Sequence, residues 1–439
     1  MTLSGKIVVV LGAGRSGRAA AALALREGAQ VHVYDEAASI EGFGPEVQTF
    51  PGANPEIGAT VASDLLIVSP GIDTYGPLVK AFSQNTQSMV GETEFSWHYY
   101  RGFTIAITGT NGKTTTTDLV SHILNTSGIS CVPCGNYGKP LSEVVMESPM
   151  PEVIALEASS FQLETIVHFK PQVAVWLNFA EDHMDRYPDL ETYRQAKLRI
   201  FENQSETDWA IVRDGEPIPR PRAPMTTFST ENSECEWFSD GITIHHRGQM
   251  VFHLENGSSL RGKHNAENVM AAWAACLAVG RPLSIHEALA QYTPPPHRCE
   301  LVRCLDGVEY LNDSKATNLH ALESALRSQT RPVVLIAGGK EKGLQYDGIV
   351  PLLQQKALAA VTFGQIAQPL AAVLSQAVDT RVASSLEEAI ATARDLAPPG
   401  STVLFSPGTS SFDMFRGYEH RGDTFRTLVH QLLSPSHRL

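Results

Sequence analysis

Two apolar runs in this chain each stop at a glycine loop that opens a helical pattern, and that order commits it to parallel α/β sheets. The first run is Ile7-Val8-Val9-Val10-Leu11, followed by Gly12-Ala13-Gly14-Arg15-Ser16-Gly17 and an Ala-rich helix to about Glu27. The second is Phe103 to Thr108, followed by Gly109-Thr110-Asn111-Gly112-Lys113-Thr114 and a further helix. A short apolar run of this kind is a strand buried on both faces. A membrane span needs roughly 18 consecutive apolar residues, and no run approaches that.

Around these two loops the pattern divides into three segments. The first adds strands at Val31 to Tyr34 and Leu65 to Val68, the latter ending in Ser69-Pro70-Gly71. A less patterned stretch, Thr86 to Gly102, reads as a linker. The second segment adds strands at Val153 to Leu156 and Val173 to Leu177, a Pro-broken surface loop from Glu216 to Pro224, and a last helix from Asn265 to Val279. Pro294-Pro295-Pro296 stiffens the chain before the third segment, whose strands are expected near Val333 to Ala337, Ala360 to Phe363 and Val403 to Ser406. A chain of 439 residues exceeds what one core usually supports. The expectation is three α/β domains, at 1–93, 94–297 and 298–439. The outer two are Rossmann-like and the central one is a P-loop ATPase-type parallel sheet.

Bulk properties exclude several classes. A net charge of −13 disfavours non-specific binding to nucleic acid or an anionic membrane, so an anionic substrate must be met by locally placed Lys, Arg and helix N-termini. No tandem repeat or low-complexity stretch suggests a solenoid or a disordered scaffold. Six cysteines over this length make no disulfide framework, and the spacings of Cys131-x-x-Cys134 and Cys299 with Cys304 do not match a zinc site. They read as small buried thiols in a cytoplasmic protein.

The first glycine loop fits G-x-G-x-x-G, and Asp35 follows the second strand at the spacing of a ribose contact. Taken alone this suggests a nicotinamide or flavin dinucleotide. The physics is more general, because backbone N–H groups at a helix start hold any diphosphate, including that of a UDP-sugar. The second loop carries P-loop chemistry. Backbone N–H groups of Gly109, Thr110, Asn111, Gly112, Lys113, Thr114 and Thr115 would wrap the β- and γ-phosphates. Lys113 would neutralise their charge and the Thr114 hydroxyl would reach Mg²⁺. The loop departs from the strict motif, having Ile107 five residues before Gly112. Glu157 sits at the C-terminal end of its strand, where ligands of parallel sheets collect, and is a candidate magnesium ligand. Asn178, Asp182, His183 and Asp185 form a polar cluster at another strand end.

Taken in order, these motifs resemble the Mur ligase family. The resemblance covers Thr108 to Thr114, Glu157-Ala158-Ser159-Ser160-Phe161-Gln162-Leu163, Asp182-His183 and Tyr193-Arg194-Gln195-Ala196-Lys197. It extends through His264-Asn265-Ala266-Glu267-Asn268 and Pro296-His297-Arg298. Within the family, Asn312-Asp313-Ser314-Lys315-Ala316-Thr317-Asn318 looks like the D-glutamate-adding branch, as do Ser406 to Asp413 and Tyr418-Glu419-His420-Arg421-Gly422. Sister ligases with a different amino acid share the ATP chemistry.

The resemblance implies a ligase that uses ATP to activate UDP-N-acetylmuramoyl-L-alanine as an acyl phosphate and couples it to D-glutamate. The first domain would hold the UDP group, near Arg15, Ser16, Asp35, Ser69 and Gly71. Thr114 and Glu157 would ligate one Mg²⁺ and His183 a second, with Asn136 orienting the substrate. Lys197 would carry a carbamate formed from CO₂, whose negative charge supports the second ion. Asn268 would contact adenine, and Arg298 and Asp313 the phosphates and ribose. Lys315, Thr317, Lys342, Ser411 and Phe412 would form the D-glutamate pocket, with Lys340 a rival to Lys342. Closure of the third domain would exclude water. The partners would be small molecules and the protein a monomer.

Overall fold

The computed structural model describes residues 2–184, 186–254, 260, 262–342 and 346–433. The chain divides into two compact units. One comprises Met1–Phe179, Arg186–Ser259 and Asn265–Tyr292; the other comprises Ala180–Asp185, Leu260–His264 and Thr293–Leu439.

The first unit contains two sheets. In one, β1 (Ile7–Leu11), β2 (Gln30–Asp35), β3 (Val47–Pro51), β4 (Leu65–Val68) and β5 (Met89–Gly91) pair in parallel in the order β3-β2-β1-β4-β5. The order reverses between β1 and β4, which places the first glycine loop and the 69–71 turn side by side at a topological switch point.

The other sheet has nine strands. They are β6 (Phe103–Thr108), β7 (Cys131–Gly135), β8 (Val153–Glu157), β9 (Val173–Trp176), β10 (Trp209–Arg213), β11 (Met225–Ser229), β12 (Trp237–Ser239), β13 (Thr243–His246) and β14 (Gln249–His253). Their order is β14-β13-β12-β11-β10-β9-β6-β8-β7. The pairs joining β12, β13 and β14 are antiparallel and the rest parallel. Strand β6 lies between β8 and β9, both buried along their length, so the second glycine loop emerges from an interior strand of the sheet.

The stretch from Thr86 to Gly102 is not a linker. It contains β5 and a helix, Glu92–Trp97, whose Glu92, Thr93, Glu94 and Ser96 are buried. Its two glutamates meet backbone donors instead of water. Glu94 accepts the N–H groups of Val167, His168 and Phe169 at 2.9, 2.9 and 2.8 Å. Glu92 accepts from the Ser142 amide and hydroxyl, both at 2.7 Å, while burial pushes its carboxyl above the ordinary range. Phe95 joins a core shared by both sheets, with Val8, Val10, Ala106 and Trp176.

The helix expected at Asn265 to Val279 runs over Lys263–Leu277, and a second helix, Ile285–Gln291, follows it. Among the thiols, Cys131, Cys134, Cys235 and Cys276 are buried, but Cys299 is half-buried and Cys304 is exposed on an edge strand.

The second unit contains one sheet: β15 (Glu300–Leu305), β16 (Val308–Asn312), β17 (Val333–Gly338), β18 (Ala357–Phe363), β19 (Asp379–Val382) and β20 (Thr402–Phe405). The order is β15-β16-β20-β17-β18-β19, with only the β15–β16 pair antiparallel. Strand β18 starts three residues earlier than its apolar run suggested, because Ala357 and Ala359 pair with β17. Among the described residues no helix is long and apolar enough to cross a membrane.

Candidate active site

The glycine loop after β6 turns into the helix Lys113–Thr126 through Gly112, which has a left-handed φ of 83°. A Cβ there would stand 2.4 Å from the Asn268 side-chain oxygen, so both conformation and space demand glycine. Asn178 clamps the loop from β9's end. Its carbonyl accepts the Thr110 N–H at 2.9 Å, its Oδ1 accepts the Asn111 N–H at 2.9 Å, and its Nδ2 donates to the Asn111 carbonyl at 3.1 Å. Asn178 therefore holds the loop, a role its place in the 178–185 run did not reveal.

Lys113 folds back over the loop, its Nζ donating to the Gly109 and Thr110 carbonyls at 2.9 and 2.8 Å. Lys197 reaches the same Gly109 carbonyl at 2.8 Å from the helix Leu190–Leu198, with its Nζ 4.8 Å above the Tyr193 ring. Lys197 is buried, so it is not the solvated helix lysine its Arg-flanked sequence suggests. The two lysine side chains thus converge on one carbonyl from different elements.

Beside it lies a carboxylate with hydroxyl and amide partners. Strand β8 pairs with β6 so that Glu157 stands opposite Ile107. The Thr114 hydroxyl donates to Glu157 Oε2 at 2.7 Å, and Asn136 Nδ2 donates to Oε1 at 2.7 Å. Lys113, Thr114, Asn136, Glu157 and Lys197 are thus brought together around the loop. Thr110 of the loop and Thr114 and Thr115 of the helix it opens are buried. Asn268 packs under it, accepting from the Thr116 hydroxyl at 3.3 Å. A buried carboxylate next to a hydroxyl fits a hard divalent cation such as magnesium, which prefers oxygen donors.

At the first glycine loop, Asp35 spends both oxygens on backbone, accepting from Ala13 N at 2.6 Å and Ala37 N at 2.8 Å. These two bonds brace the loop. Gly17 is required because a Cβ would fall 1.8 Å from the Gly12 carbonyl oxygen. Ser69 donates to that same carbonyl at 3.2 Å, and Gly71 is exposed beside it. Ser16 is half-buried, whereas Arg15 is turned to the Gly138 carbonyl at 2.8 Å. A shallow depression of about 430 Å³ is lined by Ala13, Gly14, Arg18, Asp35 and Ser39.

The second unit holds the remaining residues. Asp182 is buried, with Lys342 Nζ 3.2 Å from Oδ1 and Asn318 Nδ2 donating to Oδ2 at 2.9 Å. Burial works to raise the Asp182 carboxyl, but His183, Lys342 and the Asn318 hydrogen bond outweigh it and hold it below the ordinary range. Lys342 also donates to the Thr317 carbonyl at 3.4 Å, whereas Lys340 is exposed; of the two lysines, Lys342 meets Thr317. His183 has a left-handed φ of 59° and a half-exposed ring 3.7 Å from Asp182. Asp185 and Gly343 lie outside the described residues.

Lys315 Nζ sits 3.7 Å over the Tyr418 ring. Arg421 is fully buried and donates to Ser314 Oγ, Ser314 O and Thr409 O, tying together the loops that carry Lys315 and Ser411. Burial pulls its guanidinium down to about 9. Ser411 is buried, whereas the neighbouring Phe412 is 66% exposed. Asp313 accepts from Ser406 Oγ at 2.7 Å and Cys299 N at 3.2 Å; burial pushes its carboxyl up to about 7, with half-buried Arg298 pulling the other way.

Comparison with known proteins identifies the family. Residues 107–276 match the family model of the Mur ligase middle domain, and residues 297–408 that of the Mur ligase glutamate ligase domain. The chain is 40% identical to UDP-N-acetylmuramoylalanine–D-glutamate ligase of Geobacter metallireducens, over 98% of this chain and 99% of that one. The chain belongs to the Mur ligase family. A namesake from Trichlorobacter lovleyi is 39% identical, covering 98% of this Mur ligase and 100% of that protein. Among solved structures, MurF ligase of Thermotoga maritima in complex with ADP superposes with a TM-score of 0.63 at 16% identity, over 98% and 96% of the two chains. The murein peptide ligase of Psychrobacter arcticus superposes at 0.53 with 17% identity, over 98% and 100%. At such identities these structures establish the shared fold.

Proposed function

We propose that this Mur ligase joins D-glutamate to UDP-N-acetylmuramoyl-L-alanine at the expense of ATP, in peptidoglycan precursor synthesis. One observation carries the chemistry: Lys113 and Lys197 converge on the Gly109 carbonyl beside the Thr114–Glu157 pair. The choice of amino acid is supported by full-length relatives that bear the name of the D-glutamate ligase.

The reading assigns the nucleotide sugar to residues 1–93, ATP to 94–297 and the amino acid to 298–439. Thr114 and Glu157 would hold one Mg²⁺, with His183 and a carbamylated Lys197 serving a second. Bound magnesium would offset charge on the terminal phosphates. A carbamate keeps one N–H, so Lys197 could still donate to the Gly109 carbonyl after modification. The L-alanyl carboxylate oxygen attacks the γ-phosphorus, the bond to the β–γ bridging oxygen breaks, and ADP leaves. Lys113 and loop N–H groups other than those of Thr110 and Asn111, which Asn178 takes, stabilise the charge on the transferring group. The D-glutamate nitrogen then attacks the acyl carbon, phosphate departs, and the nitrogen loses a proton. Asn136 orients the acceptor while Asn268, Arg298 and Asp313 contact ATP. Arg15, Ser16, Asp35, Ser69 and Gly71 contact the nucleotide sugar. Lys315, Thr317, Lys342, Ser411 and Phe412 receive the dicarboxylate, for which cations and hydroxyls are suited donors. The protein would act as a cytoplasmic monomer.

The test is phosphate release from ATP with UDP-N-acetylmuramoyl-L-alanine and a panel of amino acids. Release with D-glutamate and not with L-glutamate, L-alanine or a diamino acid is expected. Equal or greater release with another amino acid overturns the assignment.

A further inference from the structure

We propose that Arg186, braced by Glu164, is a positioning residue that fixes the turn after β4 for the nucleotide-sugar substrate. The inference rests on the reading that the 69–71 turn faces that substrate. The turn follows a strand of the five-stranded sheet, yet its carbonyls are held by residues of the nine-stranded sheet's connections. Arg186 Nη1 donates to the Pro70 carbonyl at 3.1 Å and Nη2 to the Ile72 carbonyl at 2.9 Å. The guanidinium lies 4.0 Å over the Phe161 ring, and Nη2 is 3.3 Å from Glu164 Oε2. Glu164 also accepts the hydroxyls of Thr74, in the same turn, and Tyr187. The pair is deeply buried, with side-chain exposures of 12% and 2%.

Glu164 is itself anchored close to the phosphate site. It closes the helix Ser160–Leu163, whose N-cap, Ser159, comes two residues after Glu157 and forms a capping box with Gln162. Arg199 takes the carbonyls at the helix end, including Leu163 at 3.0 Å and Ile166 at 2.7 Å. The turn's Ser69 reaches the Gly12 carbonyl of the first glycine loop. Arg186 thus closes a chain of contacts that runs from the Glu157 strand through Glu164 and the turn to the glycine loop. A buried guanidinium with two separate carbonyls as acceptors sets the turn's position in a way a lysine point charge cannot.

Steady-state kinetics of the full-length enzyme test this. Arg186→Gln is expected to raise KM for UDP-N-acetylmuramoyl-L-alanine about tenfold, the effect of roughly one lost hydrogen bond to a charged group. KM for ATP and for D-glutamate should stay unchanged. Thr74→Val should shift the same constant in the same direction by a smaller factor, and decides the matter if Arg186→Gln does not fold. A purely structural role would reduce the active fraction, lowering kcat with every KM unmoved, and that outcome overturns the proposal. Gly71→Leu is the control for the underlying reading, because a Cβ at Gly71 meets nothing within 4 Å and should not disturb folding. If Gly71→Leu leaves the nucleotide-sugar KM unaltered, the turn does not face the substrate and the reading falls with the proposal. If Gly71→Leu raises it and Arg186→Gln does not, only the positioning role is refuted.

Discussion

Asp313→Asn removes a titrating proton from the interior of the second unit, and it should stabilise the ligand-free protein most at alkaline pH. Asp313 is 8% exposed, and burial pushes its carboxyl from 3.8 to about 7 against the Ser406, Cys299 and Arg298 contacts. In the unfolded chain the group ionises near 3.8. Between there and about 7 the folded state keeps a proton that the unfolded state has released. Stability from this group is therefore full below the unfolded value and lost as pH rises through the folded one. A separation of this size corresponds to roughly 4 kcal/mol, at about 1.4 kcal/mol per tenfold change in proton affinity. Well over half of it falls between pH 5 and pH 8. Asn cannot ionise, and it keeps an oxygen for the Cys299 N–H while the Ser406 hydroxyl rotates to accept. Native-state amide exchange of β17, in the same sheet, reports the opening free energy directly. The variant should gain about 2–3 kcal/mol over the parent on moving from pH 5 to pH 8. Parallel pH profiles for the two proteins would refute the reasoning.

Other perturbations separate the parts of the site. Lys113→Ala should abolish turnover while calorimetric binding of UDP-N-acetylmuramoyl-L-alanine is largely spared; equal loss of both would argue against separate sites. Lys197→Ala should be nearly inactive and partly restored by added short carboxylates, whereas full activity without them excludes a carbamate role. Gly112→Ala forces a Cβ against Asn268 at a left-handed φ, a strain of about 1–2 kcal/mol before any clash, so MgADP affinity should fall at least about tenfold by calorimetry. Glu94→Ala strips an acceptor from three buried N–H groups and should cost roughly 3 kcal/mol or more, read as a lowered melting temperature.

Much of this was legible because strand-loop-helix junctions are local. The run from Phe103 to Thr108 matches β6 end to end, and Leu65 to Val68 matches β4. Glu157 was readable from its place at a strand end, and β8 pairing with β6 brings it to Thr114. What escaped depends on long-range partners. Thr86 to Gly102 looks polar and unpatterned, yet Glu92 and Glu94 are buried because Ser142 and the 167–169 amides meet them. Asn178 seemed to belong with Asp182, but the two fall in different units, and only the folded loop shows what Asn178 holds. Arg186 carries no motif signal, since its partners lie more than a hundred residues away in the 70–72 turn.

Equilibrium binding of MgATP to the purified, folded protein addresses the central claim most directly. The account calls for saturable binding below millimolar nucleotide that Lys113→Ala loses while remaining folded. Absence of MgATP binding at millimolar concentration, or equal binding by Lys113→Ala, would contradict it.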